Sequence, residues 1–141
     1  MNMHFRRSSD GSQLIATDEA GIDTALYIPV DAGGSGEGLR AMQLMIMSVG
    51  ACATADVLSI LKKQRQEVAE YNIEIHADRD TSHLPSPWEK AHLVFTFAGG
   101  NVDLEKAQRA VELSMVKYCS ATETLRLAGA KITWEVKIVA L

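Results

Sequence analysis

The chain has 141 residues and a formal net charge of −4, with 47% hydrophobic and 23% charged residues. Domains commonly hold about 100 to 200 residues, so we expect a single domain over residues 1–141. The apolar content is sufficient for a core and argues against disorder. Because positive charge is not in excess, the sequence predicts neither a nucleic-acid partner nor binding to a membrane surface.

Two cysteines, Cys52 and Cys119, stand 67 residues apart. Two are too few for a disulfide-dense scaffold or a multi-cysteine zinc ribbon. No apolar run of signal-peptide length follows Arg6 and Arg7, so a cytoplasmic location is expected. In that reducing compartment a cysteine pair is more often catalytic, redox-active or metal-binding than a structural disulfide.

The first third of the chain has three short strand patterns: His4–Ser8, Gln13–Thr17 and Thr24–Val30. Asp10-Gly11 between the first two is typical of a hairpin turn. The glycine-rich residues 31–38 then form a loop. It lacks the Gly-Lys-Ser/Thr ending of a phosphate-binding loop, so a flexible connector is predicted.

A long helix is predicted over Leu39–Val68, and its first part, Ala41–Ala55, contains no charged residue. These 15 residues fall short of the about 20 that span a bilayer, so they indicate a helix buried in a soluble core. A sheet covers only one side of such a helix. A second copy of the chain would cover the other side, which predicts a homodimer.

The remaining sequence alternates strand and helix patterns. Strands are predicted at Tyr71–Asp78, Ala91–Ala98 and Lys131–Leu141, and helices at Asp103–Tyr118 and Ser120–Ala128. The order β-β-β-α-β-β-α-α-β indicates an α+β fold. We expect mainly antiparallel pairing, with the long helix packed against the sheet.

Cys119 stands at a predicted helix start, where Ser120 fits the N-cap and Glu123 completes a capping box. The positive end of the helix dipole favours a thiolate, so the pKa of Cys119 is predicted to be depressed. The alternative is an inert, buried thiol.

Cys52 lies among small residues in the apolar helix, within Gly50-Ala51-Cys52-Ala53-Thr54. Apolar surroundings favour the neutral thiol, so a reactive thiolate would need a nearby cation. A buried core cysteine is the alternative. Zinc held by both cysteines with His76 or His92 is a third alternative, but no tight ligand spacing supports it and no metal is predicted.

Two segments carry a resemblance to a known family. Residues 42–52 followed by 56–63 resemble the central helix of the OsmC/Ohr superfamily. Residues 110–114 and Lys117-Tyr118-Cys119-Ser120 resemble its second cysteine motif. The Asp-Val-x-x-Ile-Leu and Lys-Tyr-Cys-Ser patterns resemble the YhfA-like branch most closely, and the resemblance runs from about residue 39 to 141.

The resemblance implies an OsmC-like α+β fold with antiparallel sheets and a long buried central helix. It further implies an intertwined homodimer with its active site at the subunit interface, acting as a peroxiredoxin-like antioxidant that reduces organic hydroperoxides. Cys52 would attack the peroxide as a thiolate, and Cys119 would resolve the sulfenic acid as a disulfide. A lipoyl-type dithiol reductant protein would restore both thiols, and no tightly bound cofactor is implied.

The sequence also departs from the family pattern. Gln43 stands where the peroxidases have a glutamate that pairs with the catalytic arginine, and glutamine cannot form that ion pair. Arg79 resembles an arginine common in the YhfA-like branch. The predicted site is therefore Cys52, Cys119, Arg79 and Gln43 in a hydroperoxide reductase. The alternatives are a catalytically weak redox-sensing or small-molecule-binding dimer and a structural dimer with incidental cysteines.

Overall fold

The computed structural model describes residues 1–82 and 84–140. Among them it has six strands and three α-helices: β1 (His4–Arg7), β2 (Leu14–Thr17), β3 (Asp23–Leu26), α1 (Ala41–Lys63), β4 (Glu70–Arg79), β5 (Trp88–Ala98), α2 (Leu104–Leu113), α3 (Ser120–Leu127) and β6 (Lys131–Val139). The predicted α+β class and element order are confirmed. The chain divides into two compact units, residues 1–45 and the residues from 46 onward. The single domain over 1–141 stays a prediction.

The first unit is built on an antiparallel sheet of β1, β2 and β3. Its β1–β2 turn is organised by Asp10, whose carboxylate accepts hydrogen bonds from Ser8 Oγ at 2.6 Å and the Ser12 backbone N–H at 3.0 Å. The third strand ends at Leu26, earlier than predicted. Pro29 lacks an N–H and the chain turns into a short 3-10 helix at Val30–Ala32.

The glycine-rich loop is a series of hydrogen-bonded turns. Gly34 N–H donates to the Pro29 carbonyl at 2.9 Å, and a side chain at Gly34 would collide with the Ile28 carbonyl oxygen. The guanidinium of Arg7 donates to the Gly33 carbonyl at 3.2 Å. These contacts define the path of the loop, and its predicted flexibility stays a prediction.

The second unit holds a sheet in the order β4-β5-β6. Strands β4 and β5 are antiparallel, whereas β5 and β6 are parallel. Pairing is therefore mainly antiparallel, as predicted. The parallel pair arises because α2 and α3 lie between β5 and β6 in the chain and provide the crossover that parallel strands need.

Helix α1 ends at Lys63, five residues before the predicted end. Arg65 has a left-handed φ of 56°, its N–H donates to Lys62, and Gln66 N–H donates to Leu61. This is the Schellman pattern, which satisfies the last carbonyls and stops the helix.

The core of this unit lies between α1 and the inner face of the sheet. Gly50 allows close packing, since a Cβ there would lie 3.1 Å from Ile75 Cδ1. By length and composition, α1 is the one helix among the described residues that could cross a membrane. Its buried side chains nevertheless belong to the core, as predicted for a soluble protein. Fully buried members of that core are Val49, Ala53, Val57, Leu93, Phe95, Phe97, Ala107, Ala110 and Val111.

Candidate thiol site

The two cysteines come together where α1 meets the start of α3. Cys52 is half-buried, while Cys119 is only 3% exposed. The Cys119 Sγ lies 3.8 Å from the carbonyl oxygen of Val49, one turn before Cys52 on α1. Cys52 is also close enough to Cys119 to raise the pKa of its thiol. The two thiols therefore form one site.

A π-helical turn at Ser114–Tyr118 precedes Cys119 and positions it beside α1. The Cys119 N–H donates to the Ser114 carbonyl at 2.8 Å, five residues back, and the backbone at Cys119 is extended (φ −73°, ψ 97°). Sequence periodicity instead predicts one regular helix up to Tyr118. Such π turns insert one extra residue into a helix and occur often at functional sites.

Cys119 itself is the N-cap of α3. Its sulfur accepts a hydrogen bond from the Thr122 backbone N–H at 3.4 Å, and Ser120 is the first helical residue. The predicted capping box, with Ser120 as the N-cap, is therefore wrong by one residue. The π turn sets this register, which the Ser-x-x-Glu pattern does not reveal.

Thr122 is a residue of the site that sequence reasoning missed. It is fully buried, and its Oγ1 lies 3.1 Å from Cys119 Sγ. Thr122 stands three residues after the N-cap Cys119, which is the position whose N–H bonds a capping side chain. A correct assignment of the N-cap would therefore have indicated Thr122.

The predicted depression of the Cys119 pKa is wrong. Burial raises the pKa of the Cys119 thiol, and the hydrogen bonds from Thr122 oppose that rise only in part. Cys52 raises the pKa of Cys119 further, because negative charges on two neighbouring sulfurs would repel each other. The helix N-terminus therefore does not outweigh the loss of water around this sulfur.

Ser114 and Asp56 fix the π turn to α1. Ser114 is fully buried, and its hydroxyl donates to Asp56 Oδ2 at 3.1 Å. Asp56 stands one turn after Cys52, so this bond links the helix carrying one thiol to the turn preceding the other. The sequence singles out Asp56 only as part of a family pattern, and nothing in it indicates the partner.

A surface groove of about 440 Å³ opens beside Cys119. Its walls include the exposed side chains of Tyr118 and Leu127, and Lys117 Nζ lies 5.3 Å from the Tyr118 ring centre. The groove is large enough for a small organic molecule.

A second cavity of about 410 Å³ lies beside α1 near Gly50 and Tyr71. Thr54 Oγ1 is 3.4 Å from the Tyr71 hydroxyl. Burial raises the pKa of Tyr71 to about 12, with Thr54 opposing the rise, so the phenol stays neutral.

The two other predicted site residues have partners of their own. Arg79 is exposed at the end of β4, and its Nε and Nη2 donate to the Ser86 carbonyl at 3.0 and 2.6 Å. Gln43 lies in the first turn of α1, where its Oε1 accepts the Arg40 backbone N–H at 3.0 Å. That is the reciprocal half of a capping box. Their catalytic roles stay predictions.

The two histidines named as possible zinc ligands, His76 and His92, lie on the outer face of the sheet. His76 is opposite His92 across β4 and β5, and His92 Nδ1 is 2.8 Å from Thr133 Oγ1. Neighbouring positions such as Ile75 face the core, where α1 packs. Within residues 1–82 and 84–140, no group of three or more His, Cys, Asp or Glu side chains could hold a metal ion. The zinc alternative therefore has no support in the structure.

Comparison with known proteins agrees with this architecture. Residues 34–135 match the sequence model of the family described as OsmC-like protein. Protein YhfA of Escherichia coli K12 is 31% identical over 113 residues, which are 80% of this chain and 83% of YhfA. A hypothetical protein from Aquifex aeolicus, known from its crystal structure, is 31% identical with a TM-score of 0.77, over 98% of this chain and 96% of that one.

A more distant solved structure has the same fold. The organic hydroperoxide resistance protein OhrB of Bacillus subtilis has a TM-score of 0.64 at 20% identity, covering 96% of each chain. The family match spans most of this chain and includes both cysteines, so the chain belongs to the OsmC-like family. Its identity to YhfA assigns it to the YhfA-like branch of that family.

Proposed function

We propose that the protein is a thiol-dependent peroxidase that reduces organic hydroperoxides through Cys52 and Cys119. The observation that carries the proposal is the proximity of the two thiols, with Cys119 Sγ 3.8 Å from the Val49 carbonyl one turn before Cys52, although 67 residues separate the cysteines in sequence. Membership of the OsmC-like family supports a redox function, and the fold shared with OhrB, named for organic hydroperoxide resistance, supports this substrate class.

The burial of the two cysteines supports a division of roles. Cys52 is half-buried and accessible to a peroxide, whereas Cys119 is nearly enclosed. The Cys52 thiolate attacks one peroxide oxygen, the O–O bond breaks, and the alkoxide leaves as an alcohol after taking a proton. Cys52 becomes a sulfenic acid, which Cys119 converts to a disulfide with release of water.

Reduction of the disulfide requires an external dithiol. A lipoyl-type reductant protein is the partner that the family resemblance implies. The reductant attacks one sulfur, forms a mixed disulfide and leaves as its own cyclic disulfide, returning two thiols. A cytoplasmic location fits this need for a reducing supply.

A catalytically weak redox-sensing or small-molecule-binding dimer is the second candidate. Two observations favour it. Gln43 provides no carboxylate and is used as a helix cap. Among the described residues, the groups that shift the pKa of Cys119 include no cation. Such a protein would form the disulfide without rapid turnover.

The assay that tests the proposal measures consumption of an alkyl hydroperoxide with dihydrolipoamide as reductant. We expect turnover by the wild type, none by Cys52→Ser, and at most a single turnover by Cys119→Ser. Ser59→Ala, an exposed serine on the same helix, is the matched control and keeps full activity. A wild type that forms the disulfide but does not turn over would favour the second candidate.

A further inference from the structure

We propose that Thr122 is a positioning residue of the thiol site, whose hydrogen bonds orient the Cys119 sulfur and favour the thiolate form that attacks oxidised Cys52. The role of Thr122 in disulfide formation rests on the proposed function. Its effect on the Cys119 sulfur does not, and that effect is tested separately below.

Thr122 presents two donors to one sulfur. Its hydroxyl lies 3.1 Å and its backbone N–H 3.4 Å from Cys119 Sγ. The hydroxyl has one proton, and the other acceptor that it faces, Met115 Sδ, is more distant at 3.8 Å. Because Thr122 is fully buried, water does not compete for this proton. The hydroxyl is therefore directed at Cys119.

These donors act against an environment that disfavours charge on the sulfur. Burial and Cys52 both raise the pKa of Cys119, while the side-chain and backbone hydrogen bonds of Thr122 lower it. Hydrogen bonds to a charged group are about twice as strong as those to a neutral one, so they favour the thiolate over the thiol.

The charged groups around the site are engaged elsewhere. Asp56 on α1 accepts the hydrogen bond from Ser114, and Lys117 in the π turn lies over the Tyr118 ring. On α3, Glu123 pairs with Arg126 at 2.7 Å. Arg126 also donates to the Met115 carbonyl at 2.9 Å. Thr122 is thus the group in the described chain that lowers the pKa of Cys119.

In the proposed reaction the effect of Thr122 on the Cys119 pKa matters after Cys52 has become the sulfenic acid and the alcohol has left. The Cys119 thiolate attacks the Cys52 sulfur, the S–S bond forms, the S–O bond breaks, and hydroxide leaves as water after taking a proton. Lowering a thiol pKa by one unit raises its thiolate fraction about tenfold and lowers its nucleophilicity about threefold, so the net gain is about threefold below the pKa. Thr122 therefore speeds disulfide formation and leaves peroxide attack unchanged.

The first test titrates the Cys119 thiolate by its ultraviolet absorbance in a Cys52→Ser background. The chain has two cysteines, so Cys119 is then the only thiol. Adding Thr122→Val, an isostere without the hydroxyl, is expected to raise the midpoint by about one pH unit. Thr122→Ser, which keeps the hydroxyl, should leave it near its original value. Equal midpoints for the Val and Ser variants would overturn the proposal.

The second test separates the two steps after one equivalent of peroxide. Thr122→Val should form the Cys52 sulfenic acid at the wild-type rate and the disulfide about threefold more slowly at neutral pH. Thr122→Ser should restore the rate of disulfide formation. A Thr122→Val protein that slows both steps equally would contradict a role confined to Cys119. If the wild type forms no sulfenic acid, the proposed function fails, whereas the titration still decides the role of Thr122.

A packing defect is the competing explanation for any slow variant. Thr122→Ala serves as a second variant without the hydroxyl, and circular dichroism confirms that each protein is folded. The Val and Ala variants should share the raised midpoint, because both lack the donor. A raised midpoint in Ala alone would show that packing, and not the hydrogen bond, is responsible.

Discussion

At the scale of single residues, the sulfur of Cys119 serves as a helix cap, and in the proposed function it is also the resolving thiol. A capping atom must accept a hydrogen bond from the first turn of its helix, and here a thiol takes the place usually filled by Ser, Thr, Asp or Asn. The cap orients the sulfur, while burial keeps it protonated. The cap thus holds the thiol in a fixed orientation beside α1, where the proposed reaction needs it.

One residue-scale prediction concerns pH. Hydrogen bonds from Ser8 and Ser12 lower the pKa of Asp10 to about 2, from an ordinary value of 3.8. A carboxyl group whose pKa is depressed on folding contributes stability above its unfolded pKa, and that stability is lost as the pH falls towards 2. Nuclear magnetic resonance should find that Asp10 titrates near pH 2 in the wild type and higher in Ser8→Ala. Titration at the ordinary value in both proteins would contradict the hairpin geometry.

A second residue-scale prediction concerns Gln43. Glu at this position keeps the oxygen that caps α1 and adds the carboxylate that pairs with the catalytic arginine in family peroxidases. Gln43→Glu should therefore raise the peroxidase rate without lowering the melting temperature, whereas Gln43→Ala should lose helix stability. An unchanged rate in Gln43→Glu would show that the missing carboxylate is not the defect.

At the scale of elements, the site depends on how one helix is interrupted. The hydrophobic period runs through α2 into the next segment, so sequence reasoning predicts one helix from Asp103 to Tyr118. The structure instead has α2, a π turn and then the extended Cys119. A π turn depends on tertiary contacts such as that between Ser114 and Asp56, which a local pattern cannot reveal.

The Ser114–Asp56 bond gives an element-scale prediction. Removing the buried hydroxyl in Ser114→Ala leaves a half-buried carboxylate without that donor, which should cost about 1 to 3 kcal/mol of unfolding free energy. Disulfide formation should also slow, because the π turn positions Cys119. Denaturant melts of Ser114→Ala, Asp56→Ala and the double variant measure the coupling. Strictly additive effects would mean that the bond does not stabilise the site.

Other elements were predictable to different degrees. The alternation of apolar and polar residues from Tyr71 to Asp78 predicts a strand with one buried face. The structure has β4 at this place, with the apolar positions more buried. The end of α1 was not predictable, because it depends on a left-handed conformation at Arg65, where glycine would be the usual signal. The parallel β5–β6 pair follows from the crossover and not from any residue pattern.

At the scale of the whole molecule, helix α1 explains why the sequence is so apolar in its middle. One face of α1 fills the core, yet Met47 remains 48% exposed and Leu58 39% exposed. Exposed apolar side chains along one helix are typical of a subunit interface. We therefore propose a homodimer in which a second copy covers this face, as the family resemblance implies.

The homodimer proposal predicts that charge on this face weakens association. Met47→Glu and Leu58→Glu should shift sedimentation equilibrium towards the monomer, while both proteins keep their helical circular dichroism. Leu104→Glu is the matched control, since Leu104 is 45% exposed on α2, and it should not change the oligomeric state. A wild type that sediments as a monomer at high concentration would exclude the dimer.

The sequence predicted the two cysteines of the candidate site but not the residues that position them. The two cysteines and their meeting followed from the family resemblance, because both motifs are short and continuous. Thr122 and Ser114 could not be predicted. The contact of Thr122 depends on Cys119 being the N-cap of α3, and that of Ser114 is a hydrogen bond to Asp56, which is distant in sequence. Arg79 bonds to Ser86 in a nearby loop, so the cation expected beside Cys52 stays a prediction.

The most direct test of the account is intact-mass analysis after one equivalent of an alkyl hydroperoxide. The account predicts that the wild type loses two hydrogens as the Cys52–Cys119 disulfide, that Cys119→Ser gains one oxygen at Cys52, and that Cys52→Ser is unchanged. Oxygen gained at Cys119 in Cys52→Ser, or a wild type that stays fully reduced, would contradict it.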